Sequence, residues 1–149
     1  MSMCGILGVA NVQDMRTWTE SEIRRLERRG PDHQGTIHFE NILSMGVARL
    51  AMTDPLPRSN QPMVDRESGS AISFNGEIYN YKDLRLEMEK DGVIFNTSSD
   101  TEVLLKLLQQ DEENAICRLN GMFSFVFYNK EKNSLILSRD SLGKKPLYF

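Results

Sequence analysis

The chain has 149 residues, 40% of them hydrophobic and 26% charged, with a net charge of −3, which suits one folded core and excludes a disordered or collagen-like polymer. Lys and Arg gather nowhere beyond a short RRLERR run, so nucleic acid is not an expected partner, and no apolar run approaches the roughly 20 residues of a membrane helix. Cys4 and Cys117 stand far apart without CxxC or Cys/His spacing, which predicts a reducing, cytoplasmic setting and no metal site.

In chain order, CGILGVANV (4–12) is a continuous apolar run that predicts a buried strand. No secretory or lipoprotein signal is expected ahead of it. TESEIRRLERRGPD (19–32) carries a capping box, Thr19 with Glu22, followed by Ile23 and Leu26 at helical spacing and a Gly30-Pro31 stop, so a short helix beginning at Thr19 is predicted. GTIHFE and ILSMGVARLAM read as a strand pair across Asn41, and DPLPRSNQP as a loop.

SAISFNGEIYNY reads as a strand broken by an Asn75-Gly76 turn, leading into a helix closed by Gly92. SSDTEVLLKLLQQDEENAICRL (98–119) reads as one long helix with Ser99 or Asp100 as N-cap and Val103, Leu104, Leu107 and Leu108 on a single stripe. GMFSFVFYN and SLILSRD flank KEKN as a hairpin whose strands are apolar at nearly every position, so both of their faces should be covered. That requirement predicts a layered α+β or α/β fold with antiparallel pairs. RDSLGKKPLYF ends the chain on what reads as a strand.

The chemistry centres on Cys4. A cysteine can be a nucleophile when a base takes its proton, and the base can be the residue's own α-amine. That amine has an ordinary pKa of roughly 7.7 to 8.0, close to working pH, and is tethered to the thiol it would deprotonate. The arrangement requires Cys4 to be residue one of the mature chain. On the residues alone, a small apolar residue of a buried strand is the better reading of Cys4.

MCGILG, RGPDHQG, ARLAMTD, NQPM, FNGEIYNY, SSDTEVLL, LNGMFSFVFYN and RDSLGKKPLYF follow one another from Met3 to Phe149. In this order they resemble the class II glutamine amidotransferase domain, and most closely that of glutamine-dependent asparagine synthetases. The resemblance implies an N-terminal nucleophile hydrolase fold, a four-layer αββα sandwich, for residues 4–149. It implies Cys4 as the nucleophile on the glutamine amide, and Asn75 with the Gly76 N–H as the oxyanion hole. Arg49 and Leu50 would bind substrate, with the Arg49 guanidinium fork on the α-carboxylate and Glu77 and Asp100 near the α-ammonium. For Arg49 a solvated or paired strand residue is the alternative reading, for Asp100 a helix N-cap, and for Asn75-Gly76 a plain turn. His33 and His38 lack ligand neighbours, Cys117 reads as a buried helical residue, and KKPLYF as a strand entry.

The sequence departs from the pattern in three places. Met1 and Ser2 precede the Met that should open the chain, so a start at Met3 is expected. Val47 stands where the asparagine synthetases usually carry a His, two residues before Arg49. The chain stops at Phe149 where the family continues into further strands and a synthetase domain, so an incomplete amidotransferase domain is expected. The expected activity is hydrolysis of glutamine to glutamate and ammonia without a cofactor. ATP and Mg²⁺ are implied only for the absent synthetase half, and the expected partners are that domain, in cis or in trans, or a second copy as a homodimer. The alternatives are a chain that binds glutamine or a partner without hydrolysis, or an amidotransferase for an acceptor other than aspartate.

Overall fold

The computed structural model describes residues 3–149; the expectation about Met1 and Ser2 falls outside them. Seven strands form two antiparallel sheets. The first contains β1 (Gly5–Ala10), β2 (His33–Phe39) and β3 (Leu43–Arg49) in the order β1-β3-β2. The second contains β4 (Met63–Val64), β5 (Ala71–Ile78), β6 (Gly121–Asn129) and β7 (Ser134–Arg139) in sequential order.

The sheets face each other through β1 and β3 against β5. Helix α1 (Met15–Glu22) covers the outside of the first sheet. Helices α2 (Tyr81–Lys90), α3 (Asp100–Gln110) and α4 (Glu112–Arg118) form the layer outside the second, with α3 packed on β4, β5 and β6. This is the αββα sandwich that the resemblance implied.

Two apolar clusters hold the layers together, because alternate residues of a strand point to opposite faces. Ile72, Phe74 and Ile78 of β5 and Phe123, Phe125 and Phe127 of β6 pack with Leu84, Met88, Leu104 and Leu108 of the helices. Val126 and Tyr128 of β6 meet Leu43 and Met45 of β3 between the sheets. Each fully buried side chain of this size contributes about 1.5–3 kcal/mol.

The structure corrects several sequence readings. Helix α1 begins at Met15, behind Asp14 in a left-handed conformation, and passes through the residue read as its cap. Thr19 is buried and rests its methyl against Gly46 of β3, so sheet packing overrides the capping pattern. The predicted 98–119 helix is two helices, because Asp111 turns extended and its carboxylate caps α4 through Asn114 N–H at 3.2 Å. Asn75-Gly76 is no turn, since β5 runs straight through it.

Strand β6 is buried from Phe123 onward, but β7 is an edge strand with one face open, where Leu135 and Leu137 are exposed. Cys117 is exposed on α4 and not buried. Residues 140–149 form no strand. Among the described residues, no helix is long and apolar enough to cross a membrane.

Candidate active site

A cleft of about 570 Å³ opens at one end of the sandwich, and Cys4, Arg49, Leu50, Asn75, Gly76, Glu77 and Asp100 all line it. Every site residue named from the sequence therefore meets the same space. That size suits a small-molecule ligand.

Strand pairing brings the first members together. Gly5 pairs with Ala48, which sets Cys4 beside the segment leaving β3. The Leu50 N–H donates to Cys4 Sγ at 3.3 Å, and the thiol points at the Leu50 carbonyl at 3.7 Å. Burial pushes the Cys4 thiol above its ordinary range, while the Leu50 N–H and the Arg49 charge pull it down. A thiol held protonated in this way needs a base before it can attack.

The RGPD segment fixes this junction, a role that the sequence reading did not assign. A side chain on Gly30 would begin 2.1 Å from the Ala48 carbonyl oxygen, so only glycine lets the turn lie against β3. Asp32 then binds the strand's end, with its N–H on the Arg49 carbonyl at 3.1 Å and its carboxylate accepting from Ala51 N–H at 2.8 Å. Arg29 Nε reaches back to the Cys4 carbonyl at 3.3 Å.

Arg49 is 5% exposed, which overturns the solvated reading. Its guanidinium donates to Asn60 Oδ1 at 2.9 Å and to the Asp54 carbonyl, so the 54–62 loop holds it from behind. The Asp54 carboxylate anchors that loop, accepting from Ser98 N–H at 2.9 Å, Leu56 N–H at 3.2 Å and Arg58 Nε at 3.1 Å. The Ser98 N–H leads in holding Asp54 down to about 2. A guanidinium has five N–H donors, so two bonds to the loop leave others for a ligand carboxylate.

Asn75, Gly76 and Glu77 are consecutive on β5, paired with Ser124, Phe123 and Met122 of β6. The glycine is required by proximity, because a Cβ there would lie 2.2 Å from the Met122 carbonyl oxygen and 2.7 Å from Phe123 Cα. Beneath the cleft, Gln61 of NQPM ties β5 to α3 by accepting from Phe74 N–H at 2.8 Å and donating to Thr101 Oγ1 at 3.3 Å.

Ser99 is the N-cap of α3, accepting from Thr101 N–H at 3.0 Å, which frees Asp100 from that task. The Asp100 carboxylate accepts instead from Ile78 N–H at 3.1 Å. It is 3% exposed, and burial raises it to about 6 against the pull of the Ile78 N–H. Glu77 is exposed at the rim, and its charge also pushes Asp100 upward.

Lys145 lines the same cleft although the sequence placed it at a strand entry. The Asp140 carboxylate folds the final segment inward by accepting from the Lys144 and Lys145 N–H groups at 2.9 and 3.0 Å. That inward fold is a tertiary contact with no periodic signature. His38 is engaged elsewhere, with Ser44 Oγ at 2.7 Å and Glu20 at 3.4 Å.

A family profile described as a glutamine amidotransferase domain matches residues 3–149. Asparagine synthetase (glutamine-hydrolyzing) 1 of Bacillus subtilis (strain 168) is 40% identical, over 99% of this chain and 24% of its own. Asparagine synthetase (glutamine-hydrolyzing) 2 of Oryza sativa subsp. japonica is 37% identical, over 98% of this chain and 25% of its own. The chain thus spans about a quarter of the length of the curated relatives it matches. Among solved structures, the glutamine phosphoribosylpyrophosphate amidotransferase of B. subtilis, complexed with ADP and GMP, superposes with a TM-score of 0.72. It covers 93% of this chain and 37% of that one at 21% identity, and bears on the fold alone. With a matching profile across the described residues and an αββα sandwich beneath it, the chain belongs to the glutamine amidotransferase domain family.

Proposed function

We propose that this domain hydrolyses glutamine to glutamate and ammonia through a γ-glutamyl thioester on Cys4. The observation that carries the reading is convergence. Cys4 before β1, Arg49 at the end of β3, Asn75-Gly76 within β5 and Asp100 at the start of α3 share one cleft.

The Arg49 guanidinium receives the substrate α-carboxylate at the floor formed with Leu50, and Asp100 and Glu77 receive the α-ammonium. The Cys4 sulfur attacks the side-chain amide carbon as the α-amine of the same residue takes the thiol proton. Negative charge forms on the amide oxygen, where the Asn75 side-chain amide and the Gly76 N–H donate. Collapse breaks the C–N bond, and the α-ammonium returns its proton to the leaving nitrogen, which departs as ammonia. Water then attacks the thioester carbon, giving glutamate and the free thiol.

The α-nitrogen becomes a base only when the Met3–Cys4 peptide bond has been cut, since an amide nitrogen does not accept a proton at neutral pH. A chain retaining Met3 would bind glutamine without hydrolysing it. The ammonia is directed to an asparagine synthetase-type domain, in cis or in trans, where ATP and Mg²⁺ would act; an acceptor other than aspartate is the second reading.

The test is release of ¹⁵N-ammonia from side-chain-labelled glutamine, by protein whose mass shows Cys4 as its first residue, beside Cys4→Ala. Turnover confined to the former supports the proposal. Equal rates from the two proteins would end it.

A further inference from the structure

Successive residues of a paired strand send their N–H groups to opposite edges. Tyr79 N–H donates to the Asn120 carbonyl at 2.7 Å in register with β6, so Ser73, Asn75 and Glu77 turn their N–H groups to β6 as well. Those of Ile72, Phe74, Gly76 and Ile78 therefore face the other edge of β5, where β4 pairs only at Met63–Ile72 and Val64–Ala71.

Beyond β4, two side chains take the place of a strand. Gln61 Oε1 accepts from Phe74 N–H at 2.8 Å, and the Asp100 carboxylate accepts from Ile78 N–H at 3.1 Å. The Gly76 N–H between them has no acceptor among the described residues, and Gly76 lines the cleft. Running the β4 register backward would set Gln61 opposite Phe74 and Ser59 opposite Gly76, and a backbone carbonyl at Ser59 would then consume the Gly76 N–H. Instead, Pro57–Ser59 coils into a 3₁₀ turn and the Gln61 side chain ends the sheet.

Gln61 is fixed from three sides. It is 5% exposed, and β2 lies so close that a Cβ on Gly35 would be 2.2 Å from the Gln61 carbonyl oxygen. Its side-chain amide donates to Thr101 Oγ1 on α3 at 3.3 Å, and its neighbour Asn60 accepts from the Arg49 guanidinium at 2.9 Å. One dipeptide thus supports both the arginine and the β5 edge.

We propose that Gln61 is a positioning residue for the oxyanion hole: by standing in for a strand at Phe74, it leaves the Gly76 N–H free and holds it toward the amide oxygen of the substrate. This rests on the reading of Gly76 as an oxyanion donor.

The test compares wild type, Gln61→Met and Thr101→Val, all with Cys4 as the first residue. Gln61→Met leaves Phe74 N–H unpaired. Thr101→Val only loosens Gln61, and it carries the test if circular dichroism shows the first variant unfolded. In Gln61→Met, kcat for ammonia release should fall about 10- to 100-fold, with a smaller fall in Thr101→Val. Calorimetric affinity for glutamine, measured with Cys4→Ala added to each protein, should stay within about twofold of its Cys4→Ala parent. In ¹H–¹⁵N spectra without glutamine, the Gly76 cross-peak should move while that of Ile78, held by Asp100, stays in place.

An unchanged kcat would overturn the proposal. So would a fall in kcat matched by lost affinity, which would put Gln61 on the substrate, or a fall with an unmoved Gly76 amide. Gly76 and Ile78 moving together would also overturn it, because that would mean general loosening of β5. If wild-type protein with a Cys4 terminus releases no ammonia while the Gly76 shift persists, the glutaminase reading fails and the hold of Gln61 on the β5 edge stands.

Discussion

Replacing Asp100 by Asn should make the domain more stable above neutral pH while weakening its hold on glutamine. The Asp100 carboxylate is buried and receives the Ile78 N–H, and among the described residues no cation is bonded to it. Its pKa is raised from the ordinary 3.8 to about 6, by burial first and by Glu77 in addition.

Between those two pH values the native protein holds a proton that the unfolded chain has released. The stability from this group is therefore fully present below about pH 4 and is lost as pH rises through about 6. A shift of roughly two pH units corresponds to about 3 kcal/mol of penalty at pH 8. An asparagine carries no charge to desolvate, and its side-chain oxygen can still accept from Ile78 N–H.

Urea denaturation followed by far-UV circular dichroism should show the variant gaining up to about 3 kcal/mol on wild type between pH 4 and pH 8. The KM for glutamine should rise at the same time, because the substrate ammonium loses a counter-charge. Stability curves that run parallel across this range would refute the argument, since they would mean that ionised Asp100 is not penalised in the fold.

Three further outcomes follow from the same geometry. Asn75→Ala should lower kcat by about 10²–10³ with KM little changed, as expected for a donor used only by the transition state; steady-state ammonia release separates this from a binding defect. Gly76→Ala should cost about 3 kcal/mol in urea denaturation, because its methyl would overlap the Met122 carbonyl and Phe123 Cα and force β5 away from β6; wild-type stability would show that the strands do not approach so closely. Arg49→Lys should raise KM for glutamine roughly 10- to 100-fold, since an ammonium cannot serve Asn60, the Asp54 carbonyl and a ligand carboxylate together; an unchanged KM in the same assay would remove Arg49 from the substrate site.

Much of the layering was legible in the residues. Leu104, Leu107 and Leu108 at helical spacing, the apolar run of β6 and the turns at Asn41 and KEKN all became the elements they predicted. Local patterns that failed did so where packing outweighed them. Thr19 matched a cap and became a buried helix residue, while Asn75-Gly76 matched a hairpin turn and lies mid-strand because β6 needs a glycine opposite its backbone.

The sequence by itself determined the sandwich and the presence of a cysteine, an arginine and two acids in motifs of one family, since side-chain periodicity and motif order are properties of the chain. Only the tertiary structure decided that RGPD clamps Cys4 to the end of β3, that Asp54 and Asn60 hold Arg49, that Ser99 relieves Asp100 of capping, and that Lys145 turns into the cleft. The reason is physical: each of these depends on hydrogen bonds and close approaches between segments distant in the chain. Such contacts carry no local spacing, and become visible only when the sheets have set the segments side by side.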